Sequence, residues 1–107
     1  MNDEFFASVY NKALDIISRR EHSKHELKNK LLKKFDIPDL VDEVIIKLIE
    51  NNLINDSRYA QMYVLVRKRN GFGPKKIEFE LMSRGINSSI SSSAIEEEGA
   101  WKEAAQK

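Results

Sequence analysis

Displaced by 50 residues, the chain overlays itself, and this limits its fold more than any other feature. Ser23 falls on Gly73, Leu27 on Ile77 and Leu31 on Leu81. Ala13-Leu14 falls on Tyr63-Val64 and Arg19 on Arg69. After a one-residue gap, Ile37 falls on Ile86. A chain that repeats internally is built from copies of one small unit, so the unit must be identified before the fold.

Each copy reads as three helices. Phe5, Phe6, Val9, Ala13, Ile16 and Ile17 recur at helical spacing, which predicts a helix over Asp3–Ser18. Ser23 and Glu26 make a capping box, in which each side chain satisfies an amide that a helix start leaves free. Leu27, Leu31 and Phe35 mark one face of the helix that follows. Pro38 suits the first turn of a third helix, because its missing N–H would be unbonded there anyway. Leu40, Val44, Ile45, Leu48 and Ile49 form its apolar stripe. In the second copy Asp56 is the expected N-cap of a helix reaching about Arg69, with Tyr59, Ala60, Tyr63 and Val64 inward. Ile77, Leu81 and Met82 form the stripe of the next helix, which Gly85 ends in a left-handed conformation. The sixth segment, Ser88 to Glu98, is weaker, because its five serines compete for backbone hydrogen bonds. No alternating run suggests a strand. The expected fold is all-α and elongated: two tandem three-helix repeats with no β-sheet. The first repeat covers 1–54 and the second 55–107, with a weak C-terminal tail.

The stretch Asn70 to Lys76, "NGFGPKK", admits two readings: a phosphate-cradling loop or a joint between helices. A phosphate loop needs a strand before it and Lys-Ser/Thr after its glycines. Here a helix precedes, and Pro74 removes an amide that a phosphate would use. The joint reading is preferred: Gly71 lets one helix stop, Gly73 is the N-cap and Pro74 the first residue of the next.

Composition narrows the function. The chain has 107 residues, enough for one modest domain or two very small helical units, and no cysteine. That excludes a disulfide framework, a Cys-based zinc site and a thiol nucleophile. No apolar run approaches a membrane span, and "MNDEFF" is acidic where a signal peptide is basic, so a cytoplasmic protein without membrane contact is expected. Net charge is only +1, but Arg19 to Lys34 carries a local +5 and Arg67 to Arg84 a local +4. Such blocks create potentials that the net charge hides.

Three stretches then resemble one family: "SRREHSKHELKNKL" from Ser18 to Leu31, "LINDSRYAQMYV" from Leu53 to Val64, and "GFGPKKIEFELMSRGI" from Gly71 to Ile86. In this order and spacing they are similar to the motifs of the RecX family, regulators of bacterial recombination. The resemblance implies tandem three-helix units and binding to the RecA recombinase, mostly as its filament on single-stranded DNA. It implies inhibition of RecA's ATPase and strand exchange, a place in DNA repair and the SOS response, and binding of single- or double-stranded DNA by some members. Members usually carry three triplets, whereas this chain ends shortly after Trp101, within or just past the second.

No residues assemble into a catalytic set, so no enzyme, cofactor or metal is expected. His22 and His25 lack a third ligand and read as solvated histidines at a helix start. Glu96 to Glu98 reads as a solvated acidic face. The candidate partner or DNA contacts are basic: Arg19, Arg20 and Lys24 around the first joint, and Arg67, Lys68, Arg69, Lys75 and Lys76 around the second. If the triplets stack in one orientation, the two clusters form one stripe that meets phosphates or an acidic protein surface. Phe72, in the glycine joint, is a candidate for base stacking. Tyr59 and Tyr63 read as core residues, and Trp101 as packed on the last helix. The leading reading is a regulator of the RecA filament. The rival is a helix-turn-helix-like DNA-binding module that acts without RecA.

Overall fold

The computed structural model describes residues 3–99 and 101, and the last six residues of the expected tail lie outside them. Among the described residues there are six helices and no strand: α1 Asp3–Ile17, α2 Lys24–Lys34, α3 Pro38–Glu50, α4 Asp56–Arg69, α5 Pro74–Ser83 and α6 Ser88–Glu98. No helix among them is long and apolar enough to cross a membrane. The fold is all-α, as two tandem three-helix units that divide between Asn55 and Asp56.

In the first unit the three helices close over Val9, Ala13, Leu27, Leu31, Val41, Val44 and Leu48, none of them exposed to solvent. The capping box forms: the Glu26 amide donates to Ser23 Oγ at 3.1 Å, and the Ser23 amide donates to the Glu26 carboxylate at 3.2 Å. Pro38 is the first residue of α3. The core of the second unit is built of Tyr59, Ala60, Val64, Ile77, Leu81, Ile86 and Ala94, with Tyr63, Phe72, Ile90, Ile95 and Trp101 packed on it.

The joint between α4 and α5 is built as expected. Gly71 has φ 92°, its amide donates to the Lys68 carbonyl at 2.9 Å, and the Phe72 amide donates to the Arg67 carbonyl at 3.2 Å. These two bonds use up carbonyls that the helix end would leave free, and they require the left-handed residue between them. Gly73, at φ −83° and ψ 171°, is the N-cap of α5 and Pro74 its first residue. Gly85 ends α5 in the same left-handed way, with φ 84°. Asn87 caps α6 through its side chain, which accepts the Ile90 amide at 2.8 Å, and this offsets the serine-rich start of that helix.

Four details differ from the sequence reading. Asp56 is the first residue of α4 rather than its cap, where its carboxylate still favours the helix dipole. Met82 is more than half exposed, so the buried stripe of α5 is Ile77 and Leu81 alone. The repeat holds at a displacement of 50 through the third helix with no gap: Ile37 and Asn87 are both N-caps, and Val41 and Val44 match buried Ser91 and Ala94. Ile37 is exposed and Ile86 buried, so those two are not equivalent. In the first helix the buried positions match one residue further on, Val9 with Ala60 and Ala13 with Val64. Arg19 and Arg69 are therefore not equivalent either. Arg69 closes α4, whereas Arg19 lies beyond the end of α1.

Candidate functional site

The second basic cluster does not act as one patch, because its members face different ways. Arg67 sits on the α4 face that meets α5. Its Nε and Nη2 donate to the two oxygens of Glu80 at 3.0 and 2.9 Å, and Tyr63 Oη donates to the same carboxylate at 2.8 Å. Two parallel charge-assisted bonds fix a planar guanidinium in a way that lysine cannot. The Arg67 guanidinium also lies 3.9 Å from the centre of the Phe72 ring. The guanidinium hydrogen bond holds Glu80 below the usual carboxylate range, and Glu80 in turn raises Arg67. Burial, then the bond to Glu80, pushes Tyr63 up. Lys68 turns towards α6: its Nζ donates to the Gly99 carbonyl at 2.7 Å and to Glu98 at 3.3 Å, 5.0 Å from the centre of the Trp101 ring. Trp101 Nε1 donates to the Ile95 carbonyl at 2.8 Å, so the indole packs on the last helix.

Arg67, Lys68 and Phe72 thus hold the second unit together. Phe72 is not open for stacking: it packs on the core with a guanidinium over its ring. Arg69, Lys75 and Lys76 are exposed, and none has a carboxylate within ion-pair distance among the described residues. Lys75, Phe79 and Met82 share one face of α5 at positions i, i+4 and i+7. Phe79 is 72% exposed, the most exposed large apolar side chain among the described residues. The sequence reading missed it, although an aromatic out of phase with Ile77 and Leu81 was the available signal.

The first cluster is arranged around its joint. Arg19 reaches Asp15 at 3.4 Å, and Arg20 reaches Glu26 at 3.4 Å. Both arginines are largely exposed, so these pairs contribute little to stability. Lys24 is exposed on the first turn of α2. His22 corrects the sequence reading: it is buried, not solvated. Its Nδ1 lies 2.9 Å from the Arg20 carbonyl and its Nε2 lies 2.9 Å from Lys30 Nζ. A carbonyl can only accept, so Nδ1 carries the proton and Nε2 accepts from the ammonium. Burial, assisted by the charges of Arg20 and Lys30, lowers the imidazole's pKa. His25, by contrast, is exposed beside Asn29. No group of three or more His, Asp or Glu suited to a metal ion occurs among the described residues.

Two family models match in tandem, "RecX, first three-helix domain" over residues 10–48 and "RecX, second three-helix domain" over residues 55–95. The chain is 37% identical over 97 residues to "Regulatory protein RecX" of Pseudomonas savastanoi pv. phaseolicola, covering 90% of this chain and 63% of that one. It is 35% identical over 100 residues to the protein of the same name from Pseudomonas syringae pv. tomato, covering 92% and 64%. The crystal structure of RecX from Lactobacillus salivarius superposes with a TM-score of 0.85 at 32% identity, over 91% of this chain and 64% of that one. The chain thus spans a little under two thirds of the length of these relatives.

Proposed function

The chain belongs to the RecX family, and from that premise we propose that it regulates the RecA recombinase by binding it, chiefly as the filament on single-stranded DNA, and that it slows ATP hydrolysis and strand exchange. The observation that carries this reading is the outward face of α5, where Lys75 and Lys76 flank exposed Phe79 and Met82, with Arg69 across the joint. An apolar anchor with cations one turn before it fits an acidic protein surface: the aromatic ring supplies buried area, and the charges steer and orient the encounter. Arg19, Arg20 and Lys24 supply the corresponding contacts from the first unit. Arg67, Lys68 and Phe72 act through the shape of the second unit. Two units in tandem engage repeated sites along a polymer, and each weak contact raises the effective concentration of the next. Protomers bridged in this way resist the movements that hydrolysis and strand exchange require.

The DNA-binding module remains the second reading, favoured by the same three outward cations, which suit phosphates. Titrating the chain into RecA that is hydrolysing ATP on single-stranded DNA separates the two. The regulator lowers the rate to a plateau at chain concentrations that leave naked DNA unbound. A DNA-binding module lowers it only where the chain already covers the strand. An unchanged rate at saturating chain removes the RecA reading.

A further inference from the structure

The first unit holds a basic cavity in which Arg19 and Arg20, already named as contacts, meet Lys30 and His22, which the reading above does not use. It lies where α1 gives way to the loop before α2, has a volume of about 330 Å³, and is lined by Ile16 and by the polar side chains of Lys12, Asp15, Arg19, Arg20, His22 and Lys30. Its charges are unbalanced. Lys12 at 3.7 Å and Arg19 at 3.4 Å share the one carboxylate of Asp15. Arg20 takes the Glu26 carboxylate, and the Lys30 ammonium rests on the neutral His22 ring with no carboxylate in ion-pair distance among the described residues. Two positive charges are left over within one concavity, where their fields add.

His22 positions Lys30. Only 1% of it is exposed, and its Nδ1–H is anchored on the Arg20 carbonyl, so the Nε2 lone pair holds the end of Lys30 in place. A lysine so fixed has already lost the rotamer freedom that a ligand would otherwise have to remove. The donors converge from two helices and a loop. A ligand that satisfies them needs several oxygens and about two negative charges, which describes a phosphate group better than a chloride or a single carboxylate.

We propose that this cavity is a phosphate-binding site, taking the phosphate either of a nucleic-acid strand or of a free nucleotide. Lys30 and Arg19 are its principal donors, His22 positions Lys30, and Asp15 competes with the ligand. The site does not depend on the RecA reading, and its test contains no RecA.

The chain has only two histidines, so the ring proton signals of His22 and His25 report on the site and on a control position. Inorganic phosphate, added at constant ionic strength against chloride, moves the His22 signals saturably and leaves His25 in place. Lys30→Met weakens this binding about tenfold, the loss expected for one charge-assisted hydrogen bond. Asp15→Asn tightens it. Lys30 and Asp15 are exposed, so both variants fold, which circular dichroism verifies. Oligothymidylate without a terminal phosphate identifies the source: if it moves His22, the backbone is the ligand, and if only thymidine 5′-monophosphate does so, the ligand is a free monoester. Phosphate and oligonucleotide that shift His22 no more than His25 overturn the proposal. So does a folded Lys30→Met variant that binds phosphate at wild-type strength, or an Asp15→Asn variant that binds it more weakly.

Discussion

Replacing Ser91 with alanine should stabilise the second unit. Ser91 occupies the slot in α6 that Val41 occupies in α3, and both are fully buried. Its hydroxyl has no hydrogen-bond partner among the described residues. A buried hydroxyl left unpaired costs about 1–3 kcal/mol, and alanine is the better helix former by roughly half a kcal/mol. Against this stands the gap left by one oxygen atom, which is smaller than a methyl group and costs at most about 1 kcal/mol. The net expected gain is about 1 kcal/mol. Trp101 is the chain's single tryptophan and packs on the second core, so its fluorescence follows this unit without signal from the first. With a urea slope of about 1 kcal/mol per molar, the Trp101 midpoint should rise by about 1 M. A midpoint that falls by that amount would show that the hydroxyl is satisfied, and would refute the reasoning.

Gly71→Ala tests the joint. A Cβ built there meets nothing within 4 Å, so the cost is the left-handed backbone alone, about 1–2 kcal/mol at φ 92°; a Trp101 midpoint unchanged in urea would contradict it. Glu80 tests the network under Arg67. Its folded pKa is depressed, so its contribution is whole above the ordinary glutamate range and is lost as pH falls through the lower folded value. Glu80→Gln should therefore lower the second unit's stability at neutral pH and flatten its acid limb. Identical acid limbs in the two proteins would remove Glu80 as its source.

What the sequence disclosed was local. Ser23 with Glu26, Pro38, Gly73 with Pro74, and Gly85 each act on amides or carbonyls within a turn of themselves, so their identities alone announced helix ends that the structure contains. The orientation of the basic residues was not local. Arg67 finds its carboxylate 13 residues away and Lys68 finds its own 30 residues away. Nothing in "RKR" distinguishes those two from Arg69, which stays outside. His22 reads as solvated because the partner of its Nε2, Lys30, lies 8 residues further along the chain. The repeat was misregistered in its third helix for a related reason. Serine stands in a core slot at 91, so Ile86 looked like the better match for Ile37. Phe79 is hidden from the sequence by Met82, which extends the apparent stripe of α5 but which the fold leaves outside.

The central claim is that this chain binds the RecA filament through the outward cations of its second unit. Co-sedimentation with RecA filaments on single-stranded DNA, beside naked DNA, tests it most directly when the wild type is compared with a variant carrying Arg69→Glu, Lys75→Glu and Lys76→Glu. These three side chains are exposed, so the variant should keep its helices by circular dichroism. The wild type should pellet with filaments far more than with naked DNA, and the variant should remain in the supernatant. Wild-type binding to naked DNA as strong as to filaments, falling with salt at a log–log slope near −2 from about −0.7 for each of three single-strand contacts, would assign the cations to phosphates instead. A folded variant that pellets with filaments as fully as the wild type would contradict the claim.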